Sequence, residues 1–229
     1  MGRSDLDLIR ANPLFCDMSD ANFAALAGVA SIQRYPLHAP LITEGSLPEF
    51  LLIVVEGAVE TFGTHNGHET TIDILRPVTA FILAEVIRDA VCLKSARTLA
   101  PSQIVMIPAK AVRDVFERDA AFARAIVKEL ADRYRYTVRS LKNEKLRRSS
   151  ERLANWLLQT HAQQGHQRCI ELAIDKRTLA SSLGMTPENL SRNLALLAKY
   201  GVKSTGRDIV IEDPPALEKF AKPNALIDG

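Results

Sequence analysis

The chain has 229 residues, 47% hydrophobic and 24% charged, with a formal net charge of +2, the balance of an ordinary globular protein long enough for two small cores. It contains no run of 18 apolar residues, which excludes a membrane-spanning helix, and "MGRSDLDLIR" lacks the apolar centre of a signal segment, so a cytoplasmic protein without a membrane partner is expected. Three scattered cysteines, Cys16, Cys92 and Cys169, exclude a disulfide framework and a four-cysteine iron–sulfur cluster supplied by one chain.

In chain order, "SDLDLIRAN" reads as a short helix stopped by Pro13, and "SDANFAALAGVA" as a second that starts at a Ser/Asp cap. From Ile32 to about Pro108 the pattern changes to short apolar runs, among them "FLLIVVEG", "TTIDIL", "SARTLA" and "QIVMIP". Closely spaced short strands predict a sandwich or barrel, and Asn66-Gly67 predicts a tight hairpin because both residues tolerate positive φ. A long helix follows from about Asp119 to Leu146. Ala123, Val127, Leu130, Tyr134, Thr137 and Leu141 recur along it at alternating spacings of four and three, flanked by Ile126 and Val138. That seam predicts a two-stranded pairing with a second copy of the chain.

The third region is basic. Residues 1–119 hold 10 Lys/Arg against 15 Asp/Glu, a balance of −5, whereas residues 120–229 hold 19 against 12, a balance of +7. Such asymmetry points to a polyanion partner for the back half. "SSERLANWLLQTHAQQG" is an amphipathic helix with the single tryptophan, Trp156, "CIEL" a short strand, and two helices joined at Gly184 come next. "VKSTGRDIVIED" then reads as a hairpin turning at Thr205-Gly206, which makes the region a winged helix-turn-helix. Within it, Leu179, Leu183, Met185 and Leu190 are expected to face the core, Ala180 to let the helices cross, and Gly184 to supply a positive φ. Asn193 is polar where an apolar residue is expected, with Leu194 and Leu197 carrying that face. Thr186 fits an N-cap, Pro187 the first helical position, and Glu188 the positive end of the helix dipole. Helix-starting chemistry does not account for Ser191 and Arg192, which share the exposed side with Glu188. In a recognition helix those three side chains face base edges in the major groove. Lys176, Arg177, Thr178, Thr186, Lys199 and Lys203 are the candidate phosphate contacts.

"NPLF", "EGSLPEFLLIVVEGAVETFG", "KSARTL", the long helix, "LASSLGMTPENLSR" and "GRDIVIED" together resemble the Crp/Fnr superfamily of bacterial transcription regulators over nearly the whole chain. The resemblance implies an α+β protein: a cyclic-nucleotide-binding-type β-roll (1–118), a dimerisation helix (119–146) built on Val127, Leu130, Tyr134 and Leu141, and a winged helix-turn-helix (147–229). It implies a homodimer on double-stranded DNA with RNA polymerase as downstream partner. The Glu-x-x-Ser-Arg pattern, here Glu188, Ser191 and Arg192, is the Fnr-like variant associated with a TTG-containing palindromic half-site.

The resemblance places the effector pocket at Phe81, Ala84, Glu85, Cys92, Lys94 and Ser95, with Thr137 on the long helix. Relatives that bind cyclic AMP carry Gly-Glu and Arg-Ser; Ala84-Glu85 and Lys94-Ser95 stand there instead. A methyl group then sits where backbone should approach phosphate, and lysine lacks the planar fork of arginine. The chain is most similar to the Dnr/NnrR-type branch, which responds to nitric oxide with haem in an apolar pocket. A different small ligand, a cyclic nucleotide, or constitutive DNA binding stay open as alternatives. For a haem ligand, His65 and His68 read as solvated turn residues, and His161 and His166 as surface residues near a helix end. His38, at the edge of the roll, is the remaining candidate, and Cys92 reads as a buried thiol. The nearest histidine pair, His65 and His68, spans a turn rather than a strand at i and i+2, so cupin-type metal chemistry has no basis. With no nucleophile elbow, phosphate loop or zinc-type cysteine pair, no enzyme is expected.

Overall fold

The computed structural model describes residues 3–167 and 169–229; Met1 and Gly2, part of the N-terminus read for a signal segment, and Arg168 lie outside the described residues. Two compact units divide the chain, Met1–Tyr134 and Arg135–Gly229, so the boundary falls inside the long helix. The architecture is α+β, as expected: a β-roll, a long helix and a winged helix-turn-helix. Among the described residues no helix is long and apolar enough to cross a membrane.

The first unit starts with α1 (Arg3–Arg10) and α2 (Asp20–Val29). Eight strands follow: β1 (Ser31–Tyr35), β2 (Pro40–Ile42), β3 (Phe50–Glu56), β4 (Val59–His65), β5 (His68–Leu75), β6 (Thr79–Phe81), β7 (Ser95–Thr98) and β8 (Ser102–Pro108). Helix α3 (Leu83–Arg88) separates β6 from β7, and α4 (Ala109–Arg118) follows β8. Two antiparallel four-stranded sheets form, in the orders β1-β8-β3-β6 and β2-β7-β4-β5. The unbroken apolar run of β3 is explained by burial: Leu51, Leu52, Ile53 and Val54 are all in the core. The β4–β5 hairpin closes at the pair His65–His68 around Asn66 and Gly67, whose φ values are 50° and 75°. Both turn residues are thus left-handed, the twist that matches the flanking strands.

One buried carboxylate joins the ends of this unit. Asp119, 6% exposed, precedes the long helix α5 (Ala120–Leu146). Its Oδ1 accepts from the N–H groups of Ala121 and Phe122 at 3.1 and 3.0 Å. Its Oδ2 accepts from the N–H and hydroxyl of Ser19, each at 3.0 Å, and from the Asn22 amide at 2.9 Å. The helix therefore begins one residue later than the sequence places it, because Asp119 acts as its cap. Phe122 and Ile126 are the buried residues of α5, and the Phe122 ring stacks on Phe15 at 5.8 Å.

The second unit adds α6 (Ser149–Gln163), β9 (Cys169–Glu171), α7 (Lys176–Ser182), α8 (Pro187–Leu197), a 3-10 turn (Ala198–Tyr200), β10 (Val202–Thr205) and β11 (Asp208–Ile211). Leu153, Leu157, Ile170, Leu179, Leu197 and Ile209 form its core. The strand order β10-β11-β9 makes a three-stranded wing. Its hairpin closes at Thr205–Asp208, so the turn is Gly206-Arg207, one residue beyond the expected position. Two short helices unread in the sequence, α9 (Pro214–Ala221) and α10 (Ala225–Asp228), complete the chain. Asp228 of α10 takes a bidentate pair of bonds from Arg147 at the end of α5, at 2.5 and 2.6 Å.

The Phe122 N–H first, then the Asn22 amide and Ser19, hold the Asp119 carboxyl well below the usual carboxylate range. Asp119→Asn presents an amide to three donors and should cost about 2 kcal/mol at pH 7 in urea unfolding. A carboxyl lowered in the folded state stabilises fully above its unfolded value of about 4, and this is lost as pH falls toward the folded one. The gap between the two proteins should therefore narrow from pH 7 to pH 3. Equal stability at pH 7 would show that the carboxylate fastens nothing.

Candidate nucleic-acid interface

Local chemistry starts and stops each helix of the reading head. Asp175 caps α7, accepting from the Thr178 N–H at 2.7 Å. After Leu183 the chain turns at Gly184 with φ 62°, a left-handed conformation that glycine adopts without Cβ strain. Thr186 then caps α8, accepting from the Asn189 N–H at 3.3 Å, with Pro187 in the first helical position. Leu179, Ala180 and Leu183 of the first helix and Leu190, Leu194 and Leu197 of the second are buried. Met185, expected in the core, is only half-buried. Asn193 is half-buried as well, its amide donating to the Ser149 hydroxyl at 3.1 Å and lying 3.5 Å from the Met185 sulfur. This satisfies the polar side chain that the apolar pattern did not explain.

Glu188, Ser191 and Arg192 are all exposed on α8. The Glu188 carboxyl is held below its usual value by its own backbone N–H first, then by the Thr186 hydroxyl and the charge of Arg192. The Ser191 hydroxyl donates back to the Pro187 carbonyl at 3.1 Å. Around this helix, Arg177 and Lys199 are exposed. Lys176 at the start of α7 reaches the wing, its Nζ 3.0 Å from the Ser204 hydroxyl. Lys203 pairs with Glu212 at 2.9 Å, and the Thr178 hydroxyl donates to Asp175 at 3.2 Å.

A residue not singled out in the sequence holds this arrangement. Arg152 of α6 donates to the carbonyls of Leu183 (2.9 Å) and Gly184 (3.0 Å) in the turn, and to that of Arg147 (2.9 Å) just after α5. It also approaches the Glu144 carbonyl at 3.5 Å. The planar fork of an arginine suits several carbonyls that no intrahelical donor reaches.

In the roll, Phe81 is buried on β6, Ala84 is exposed in the first turn of α3, and Glu85 is half-buried. Cys92 is 1% exposed, while Lys94 and Ser95 are half-buried. The Ser95 hydroxyl accepts from the Glu44 N–H at 3.0 Å. Thr137 is exposed on the part of α5 that belongs to the second unit. A cavity of about 460 Å³ opens beside Cys92, walled by Leu41, Ile42, Phe50, Leu52, Ile82 and Met106, and none of the other expected pocket residues lines it. Along α5, Val127, Tyr134 and Leu141 are exposed by 62%, 70% and 52%. Leu130 instead packs partly against the roll's core, since it lies four residues beyond buried Ile126 on the same face.

Residues 32–119 match the cyclic nucleotide-binding domain family, and residues 151–220 match the Crp-like helix-turn-helix domain family. The chain belongs to the Crp/Fnr family of regulators. It is therefore a DNA-binding transcription regulator with a cyclic nucleotide-binding-type domain, in a family of regulators rather than enzymes. No curated protein matches it. FixK2 from Bradyrhizobium japonicum is a similar solved structure, at 20% identity over 86% of this chain and 100% of that one, with a TM-score of 0.74. A Crp/Fnr family protein from Eubacterium rectale gives 20% identity, 92% and 98% coverage, and 0.75. DNR from Pseudomonas aeruginosa gives 23% identity, 96% and 99% coverage, and 0.53. At these identities the likeness is one of fold.

Within this Crp/Fnr protein the histidines do not fit a haem in the roll. His38 is exposed in the turn between β1 and β2 with φ 62° and does not line the cavity; His65 and His68 are exposed at the hairpin tip. His161, expected on the surface, is in fact 7% exposed, its Nδ1 3.4 Å from that of His166. A buried carboxylate also escapes the sequence pattern: Glu60, 3% exposed, accepts from the half-buried Arg97 Nε at 2.8 Å and from the Thr71 hydroxyl at 2.5 Å.

Arg152→Lys keeps the charge but loses the fork. It should cost roughly 1 kcal/mol and lower the midpoint of thermal unfolding by about 4–8 °C, read by the fluorescence of Trp156, the single tryptophan, which lies in the same unit. An unchanged midpoint would show that the turn holds itself.

Proposed function

We propose that the protein is a homodimeric cytoplasmic regulator that reads a TTG-containing palindrome under the control of a small ligand taken up by the β-roll. The carrying observation is the exposed constellation of Glu188, Ser191 and Arg192 on a capped helix of a helix-turn-helix. In this reading Arg192 binds guanine O6 and N7, Glu188 accepts from cytosine N4, and Ser191 reaches bases or phosphate. Lys176, Arg177, Thr178, Thr186, Lys199 and Lys203 serve the phosphates on either side and give binding its salt dependence. Lys203 first has to leave Glu212, and Lys176 to leave Ser204.

The proposal divides the chain into a sensor (1–118), a dimerisation helix (119–146) and a DNA-binding domain (147–229). Val127, Tyr134 and Leu141 leave an apolar stripe on α5 that a second copy would cover, with Leu130 shared between that interface and its own roll. A pair of recognition helices about 34 Å apart would then meet successive major grooves. RNA polymerase is the proposed downstream partner. Neither cyclic AMP nor haem is the effector in this reading. The altered positions Ala84 and Lys94 weigh against the nucleotide, and the exposed His38 weighs against haem-based nitric oxide sensing.

Arg192→Ala should weaken specific binding by roughly 1–3 kcal/mol and relax preference at one base pair, measured by gel shift on matched and single-substituted operators. Equal weakening on random DNA would make Arg192 a phosphate contact. Leu141→Glu places a charge in the stripe and should convert the dimer to monomer in sedimentation; an unaltered dimer would place the interface elsewhere.

A further inference from the structure

The cavity in the roll has a wall suited to neither a cyclic nucleotide nor a haem. Its volume of about 460 Å³ falls in the range of small-molecule sites, roughly 300–1,000 Å³. Leu41, Ile42, Phe50, Leu52, Ile82 and Met106 make it apolar, and Thr43, Ser46 and Glu49 supply its polar groups. No Lys, Arg or His belongs to the wall. A phosphate or propionate would therefore enter without a counter-charge and meet the Glu49 carboxylate, an arrangement that costs rather than stabilises. Ala84, Glu85, Lys94 and Ser95, where a nucleotide's ribose and phosphate would be gripped, lie outside the wall.

Two further features distinguish this space from a packing gap. Ile82 sits in the wall with φ 57°, a left-handed conformation that is strained for a β-branched residue and persists only where the surroundings impose it. It is also the residue from which α3 starts. The loop at the mouth is tied to Cys92 in both directions: Gly45 N–H donates to the Cys92 carbonyl at 2.7 Å, and Cys92 N–H donates to the Ser46 carbonyl at 2.8 Å. From α3 the connection continues to α4, where Arg113 donates to the Val86 carbonyl at 3.1 Å and pairs with Asp89 at 3.0 Å. Helix α4 ends at Asp119, the cap of the long helix.

We propose that this cavity binds a neutral, largely apolar organic molecule whose polar end faces Thr43, Ser46 and Glu49. The proposal deepens the reading of the roll as a sensor and rests on it. A ligand here presses on Ile82, and so on the start of α3, rather than on the nucleotide-contacting positions.

The probe for the test is 1-aminoanthracene, a neutral fluorescent aromatic, titrated into the full-length chain. A saturable rise with one probe per chain is expected. Ile42→Trp, which puts an indole into the space, should weaken binding at least about tenfold. The second measurement needs no change to the wall. In a Cys16→Ser, Cys169→Ser background, N-ethylmaleimide should modify Cys92 more slowly when the probe is bound. Undiminished binding by Ile42→Trp, or Cys92 reacting equally fast with and without probe, would overturn the proposal. Gel shifts on an operator run in parallel: absent probe binding with DNA binding intact overturns this site alone, whereas probe binding without DNA binding overturns the regulator reading alone.

Discussion

A single guanidinium fixes the geometry on which the reading head depends. The turn of a helix-turn-helix exposes carbonyls that its own helices cannot pair, and the end of a long helix does the same. Arg152 serves both, bonding Leu183 and Gly184 on one side and Arg147 on the other. The direction in which α8 is presented is thus referred to the last turn of α5 through one side chain. Asn193, through Ser149, adds a second tie, from α8 to the start of α6. The Arg147–Asp228 pair, with both side chains largely buried, adds a third from the C-terminal helix. These contacts form a polar frame around an apolar core of leucines and isoleucines, and it is the frame that sets the angle.

The roll uses the same device with the opposite charge. Asp119 gathers five donors from Ser19, from Asn22 of α2 and from the first turn of α5. Around it, Phe15, Phe122 and Ile126 carry the apolar contact. The long helix is consequently anchored at its beginning by a carboxylate and at its end by arginines. Between these anchors Val127, Tyr134 and Leu141 face water, which is the physical reason for reading that stripe as an interface.

What could be read from the sequence follows the range of the interactions involved. The helix-turn-helix was legible because its signals are local: Thr186 bonds three residues ahead, and Pro187 and Gly184 set their own backbone angles. The Asn66-Gly67 hairpin was legible for the same reason. Asp119 and Ser19 are 100 residues apart, Asn193 and Ser149 are 44 apart, and Arg97 and Glu60 are 37 apart. No spacing rule brings such partners together, so these residues were passed over or left as anomalies. Heptad counting grouped Leu130 with Val127, but the rotation of α5 against the roll separates them. The histidines show the limit most plainly, since His161 near a helix end read as surface yet is buried.

Glu188 carries a consequence for how such a protein searches DNA. If α8 enters the major groove as proposed, the Glu188 carboxylate, whose ionised form is favoured first by its own backbone N–H, then by the Thr186 hydroxyl and Arg192, would approach a polyanion in every register. Only where a cytosine amino group meets it is that repulsion offset. At every other position the proposed lysine and arginine contacts would hold the backbone while one acid pushes away. Dwell times on the many wrong sites of a chromosome would thereby be shortened. The time saved would shorten the path to the right one.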